Sequence, residues 1–113
     1  MMEDMVLCAS SAYEEKYYLN ERFAGLPESI REELQIMCVL YTAEIGGILT
    51  LIFDEEGNLE FVTNSYEEDL LYDDIGSVLK IKQLRESKKE LLESLEIYYK
   101  AFILGQDISE LLE

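Results

Sequence analysis

The chain has no histidine and no tryptophan in 113 residues. Without histidine there is no Ser-His-Asp or Cys-His machinery, and no side chain that ordinarily exchanges protons near neutral pH. Histidine-bearing zinc sites are excluded too, and the two cysteines, Cys8 and Cys38, cannot furnish a four-thiolate site. Basic residues are scarce, 9 against 25 acidic ones, for a net charge of −16. Such a surface repels phosphate backbones and anionic lipid, so neither direct nucleic-acid binding nor membrane binding is expected. Pro27 is the one proline, and six glycines leave little room for long linkers. No apolar run approaches the ~20 residues needed to span a bilayer. The opening "MMEDMVLCAS" is acidic with a very short apolar run, where a signal peptide starts basic and runs longer. Two thiols without a secretory signal read as reduced, and the expected location is cytoplasmic.

What is present suits one domain over residues 1–113, with 49% hydrophobic residues to build a core. The segment 15–19 of "YEEKYYL" alternates like a short strand, although "SSAYEEKYYLNERF" also fits a helix. "NERFAGLP" reads as a loop that plugs Phe23 and Leu26 into the core. Pro27 suits a first helical position, and Ile30, Leu34, Met37, Cys38, Tyr41 and Ile45 recur at helical spacing. A helix over 27–44, stopped by Gly46 and Gly47, is expected. "GILTLIF" and "NLEFVTN" are the paired strands of a hairpin over 47–64.

The tip of that hairpin, "FDEEGNLEF", resembles a cation loop only superficially. Counted from Asp54, glycine falls at position 4 and Ser65 at position 12, which is not EF-hand spacing. A four-to-five-residue turn with Gly57 at positive φ fits instead. Residues from about 72 to 104 are helical, either as one helix or bent near Ser87. Leu84, Leu91, Leu95, Tyr98 and Phe102 form a heptad-like seam, with Leu92, Tyr99 and Ile103 beside it and Glu96–Lys100 as an i,i+4 pair. The expected fold class is therefore α+β: a small antiparallel sheet built on the 47–64 hairpin, packed by the 27–44 helix and the 72–104 helix or helix pair.

Chemistry has few places to sit. Glu67, Glu68, Asp69, Asp73 and Asp74 crowd into "YEEDLLYDD" and could offer oxygen ligands to magnesium or calcium; the alternative is a solvated loop and a helix start. Lys80, Lys82, Arg85, Lys88 and Lys89 cluster within ten residues and could dock on that acidic run, in the same chain or a second one. Cys38 belongs in the core, and Cys8 has no histidine to activate it. No catalytic residue and no cofactor is nominated, and a non-enzymatic role is expected. Of the tyrosine pairs Tyr17–Tyr18 and Tyr98–Tyr99, one member each should point away from the local core.

The stretches "LPESIREELQIMCVLYT" and "GGILTLIFDEEGNLEF", with "DDIG" and "ELLESLEIYYKAFILG", resemble a small family of uncharacterised proteins from Firmicutes, largely gut clostridia. The resemblance covers nearly the whole chain and implies a cytosolic single domain, with no activity or site residue to carry over.

Two apolar stripes over 84–103 exceed what one small sheet face needs. The expectation is a homodimer through Tyr98, Tyr99, Phe102 and Ile103, working as an interaction or adaptor module. The rivals are a cation or small-ligand sensor using the 66–74 carboxylates, and an acidic mimic of DNA that blocks a basic protein.

Overall fold

A computed structural model describes residues 5–107. Four antiparallel strands form one sheet in the order β2-β1-β3-β4, with β1 Met5–Ser11, β2 Lys16–Leu19, β3 Ile48–Phe53 and β4 Leu59–Asn64. Helix α1 (Glu28–Ile45) lies between β2 and β3 in the chain; α2 (Asp74–Ser87) and α3 (Lys89–Tyr98) follow β4. The α+β class, the 47–64 hairpin, the 27–44 helix and the C-terminal helix pair all stand as expected. Strand β1 was not anticipated, yet it is central, pairing with both β2 and β3.

Alternation sets the sheet's buried face. On β3, Leu49, Leu51 and Phe53 are fully buried while Ile48, Thr50 and Ile52 are half-buried. On β1 the register shifts between Val6 and Cys8, and consecutive Leu7 and Cys8 are both fully buried. This irregularity hides β1 from a strict period-2 reading.

Helix α1 lays Leu34, Met37, Cys38 and Tyr41 into the core. Cys8 Sγ and Cys38 Sγ touch at 3.8 Å, and Ser10 Oγ bonds Thr42 Oγ1 at 2.8 Å beside them. Both cysteines are fully buried, and hydrogen bonding to Cys8 together with burial pushes the Cys38 thiol up. Both thiols are free and pack within the core, away from solvent. Pro27 stands at the N-cap (φ −53°, ψ 143°), one position earlier than its expected first-turn place. Gly46, at φ 90°, ends the helix as expected.

Phe23 and Leu26 do plug the core from the loop. Phe23, Phe53 and Tyr99 form an aromatic stack, with Phe53 and Tyr99 ring centroids 4.2 Å apart and nearly parallel. The region 72–104 is interrupted at Lys88 (φ −111°, ψ 23°), next to the bend expected near Ser87. A π-turn over Tyr99–Ile103 closes α3, with Leu104 N–H donating to Tyr99 O. Residues 108–113 of the tail lie outside the described residues.

Candidate interaction surface

The hairpin tip settles the first candidate. Asp54 Oδ1 accepts from the N–H groups of Glu56 and Asn58, both at 2.9 Å. Gly57 adopts φ 87°, and a Cβ there would meet the Lys100 and Leu104 side chains. The carboxylate is occupied in holding a turn. Those backbone bonds, the one from Asn58 foremost, lower the pKa of Asp54 below its ordinary value.

The acidic run is dispersed rather than gathered. Asp73 caps α2, accepting from Gly76 N–H at 2.8 Å. Asp69 accepts from the Tyr13 hydroxyl at 2.6 Å and from Leu71 N–H, while Tyr13 stacks on Tyr66 at 3.9 Å. Glu67, Glu68 and Asp74 are exposed. Among the described residues no three acidic or thiol groups converge on a point that could hold a metal ion.

The basic cluster does not dock on this run within the chain. Lys80 pairs with Glu44 at 2.8 Å and Lys88 with Glu33 at 3.5 Å, which ties α2 alongside α1. Tyr41 Oη and Ser77 Oγ, 2.6 Å apart and buried, join the same two helices, and Tyr72 Oη adds a bond to Ser77 at 3.0 Å. Lys89 reaches Glu93 at 4.0 Å. Arg85 lies over the Phe61 ring and donates to Leu59 O, while Glu96 accepts from Leu59 N–H at 2.7 Å. The two side chains satisfy the outer backbone groups at the start of edge strand β4. Glu96 is thus used on β4 rather than in the expected pair with Lys100. Lys82 alone of the five is exposed with no hydrogen bond or ion pair among the described residues.

The expected interface separates into inside and outside. Tyr99 is buried in the aromatic stack, Tyr98 is half-buried against Phe23 and Phe102, and Ile103 packs on the core. Only Phe102 of the four is exposed, at 69%. Leu84, Leu91, Leu92 and Leu95 are also buried, so one copy absorbs nearly all of both stripes. The uncovered apolar surface lies elsewhere.

It lies on α2 and α1. Helix α2 turns Ser77, Ile81 and Leu84 inward and Ile75, Val78 and Leu79 outward, so it is apolar on both sides. Ile75, Val78 and Leu79 are exposed, and the preceding Leu70 and Leu71 are almost completely so, at 89% and 94%. Ile36 and Leu40 on the neighbouring α1 are exposed as well. Sequence reasoning passed over these residues because they interleave with charges. The available signal was Ile75, Val78, Leu79 and Lys82, at steps of three, one and three, opposite the Ser77–Leu84 face.

An open cavity of about 540 Å³ also lies between the β1–β2 turn and α1, lined by Ser10, Lys16, Tyr17, Gln35 and Val39 among others. Tyr17 Oη is buried without a hydrogen-bond partner, and burial raises its pKa. Glu15 in the same turn has φ 52°. No helix among the described residues is long and apolar enough to cross a membrane.

Fold and surface together define a small α+β domain with every helix on one face of its sheet and an aliphatic ridge left open to solvent. The chain belongs to a family of unknown function, DUF6145, whose model matches residues 4–107. No curated protein and no solved structure matches it.

Proposed function

We propose that the chain is a protein–protein interaction module of adaptor type, acting through the aliphatic face of α1 and α2 and carrying out no catalysis itself. The observation that carries this reading is the two-sided apolar character of α2. A helix apolar on both sides is ordinarily buried on both, yet Ile75, Val78 and Leu79 face solvent. Monomeric proteins rarely leave large contiguous apolar patches uncovered, and larger ones mark association sites. Covering Leu71, Ile75, Val78 and Leu79 would gain roughly 1.5–3 kcal/mol per side chain. That gain is comparable to the ~4–15 kcal/mol cost of association, so Ile36 and Leu40 belong to a productive contact too.

The double variant Ile75→Ser/Leu79→Ser tests the reading. Stability should change by only about 0.5 kcal/mol per site, as for surface positions, while binding of an apolar fluorescent dye and any self- or partner association fall. Loss of ~2–5 kcal/mol per site would show that these residues are core. A wild-type chain that neither binds the dye nor associates would also overturn the proposal.

A further inference from the structure

We infer that edge strand β2 takes up an extended cationic segment of another protein, which joins the sheet as an added strand. The two edges of the sheet differ. On β4, Arg85 donates to Leu59 O and Glu96 accepts from Leu59 N–H, so side chains already fill outer backbone positions there. On β2 the outer positions are open. Asn20 N–H donates to Leu7 O at 2.9 Å, and the register then makes Ala9–Tyr18 and Ser11–Lys16 the hydrogen-bonded pairs with β1. The N–H and C=O groups of Tyr17 and Leu19 therefore point away from β1, and no backbone partner meets them among the described residues.

Both faces beside this edge are hollow. The cavity of about 540 Å³ lies on the helix side, between Tyr17 and the Gln35, Val39 and Ala43 line of α1. A second open cavity, of about 500 Å³, is lined by Ala9, Tyr18, Ile48 and Tyr66 among others, on the side away from the helices. Successive side chains of an added strand point to opposite faces, and here each set has a hollow to enter. In strand addition, backbone bonds supply affinity and such hollows select side chains.

Charge gives the class of segment. Glu14 and Glu15 precede β2, Glu21 follows it, and Glu32 and Glu28 extend the Gln35–Val39–Ala43 line at steps of three and four; all are exposed. The nearby bases are Lys16, Arg22 and Arg31, and Arg31 is engaged with Leu26 O. The excess is acidic, so a segment rich in lysine or arginine is attracted, whereas a second copy brings a net −16 to the same edge. The inference uses the β2 backbone and does not depend on the reading of the α1–α2 face.

The probe is a capped hexapeptide of alternating lysine and valine, and the measurement is residue-resolved amide hydrogen exchange of the full chain by NMR. With peptide at about ten times its Kd, the Tyr17 and Leu19 amides should exchange about tenfold more slowly. The Lys16 and Tyr18 amides, already bonded to β1, should change less. The same peptide N-methylated at every residue keeps its charge but cannot pair as a strand, and should protect neither amide. The glutamate–valine counterpart should fail too. Glu28→Gln/Glu32→Gln should weaken the lysine–valine peptide several-fold with an unchanged circular dichroism spectrum. Ile75→Ser/Leu79→Ser should leave its binding intact, which separates this edge from the α1–α2 face. No protection of Tyr17 and Leu19 at ~1 mM peptide, equal protection by the N-methylated peptide, or indifference to Glu28→Gln/Glu32→Gln would overturn the inference. So would protection that rises with protein concentration alone, since the occupant would then be a second copy.

Discussion

Replacing Tyr99 by alanine removes the ring that closes the aromatic stack. In the fold described here Tyr99 is 6% exposed and lies 4.2 Å from Phe53, centroid to centroid. Large-to-small changes of buried aromatics cost about 3–5 kcal/mol. A domain of this size has roughly 5–15 kcal/mol in all, so the variant should be close to its unfolding threshold. Phe102, three residues on, is 69% exposed, and Phe102→Ala should cost no more than about 1 kcal/mol. Urea unfolding followed by far-ultraviolet circular dichroism gives both numbers. With a slope of about 1–3 kcal/mol per molar, Tyr99→Ala should lower the midpoint by on the order of 2 M at unchanged slope. Phe102→Ala should barely move it. The reasoning fails if Tyr99→Ala leaves the midpoint in place while reducing molecular mass, because Tyr99 would then face a partner rather than its own core.

Further outcomes follow from the same packing. Burial raises the Tyr41 pKa to about 12 from an ordinary 10.0, and burial raises that of the half-buried Tyr17 as well. The folded state therefore holds protons that the unfolded chain releases: the corresponding stability is fully present below pH 10 and is lost as pH rises toward 12. With no histidine to titrate, unfolding midpoints should be nearly flat from pH 6 to 8; they should begin to fall near pH 9, where an unfolded Cys38 thiol releases the proton that the buried one keeps, and fall further beyond pH 10; a step between 6 and 8 would contradict this. Gly46 and Gly47 both have positive φ, but a Cβ on Gly47 would meet the Tyr72 ring at 2.5 Å and Asn64 O at 2.7 Å, while one on Gly46 would meet open space. Gly47→Ala should therefore be the more destabilising of the two, by more than about 1 kcal/mol; equal losses in thermal unfolding would refute the stated contacts.

How much was legible in the sequence depended on whether a residue's environment was local. The 47–64 hairpin and its tip were readable because turn chemistry and alternation act within a few residues; Asp54 and Gly57 both serve the one short turn between β3 and β4. The end of α1 at Gly46 was readable for the same reason. Strand β1 was not, because its register shift places Leu7 and Cys8 together in the core, and its pairing with β3 joins residues far apart in the chain. The expected interface residues are mostly covered within one copy for a related reason. Heptad spacing marks a helix face as apolar without saying what covers it, and the cover for Tyr99 comes from Phe53 and Phe23. The outward ridge of α2 escaped notice because the charges around it resemble an ordinary solvated helix, and only the side on which Ser77 and Leu84 point inward tells the two faces apart.

Titration with an apolar fluorescent dye tests the central claim most directly, because Ile75, Val78 and Leu79 face solvent. The wild-type chain should bind the dye, and Ile75→Ser/Leu79→Ser should lose that binding while its stability changes by only about 0.5 kcal/mol per site. A wild-type chain that binds no dye, or a double variant that binds it as well as the wild type does, would contradict the account.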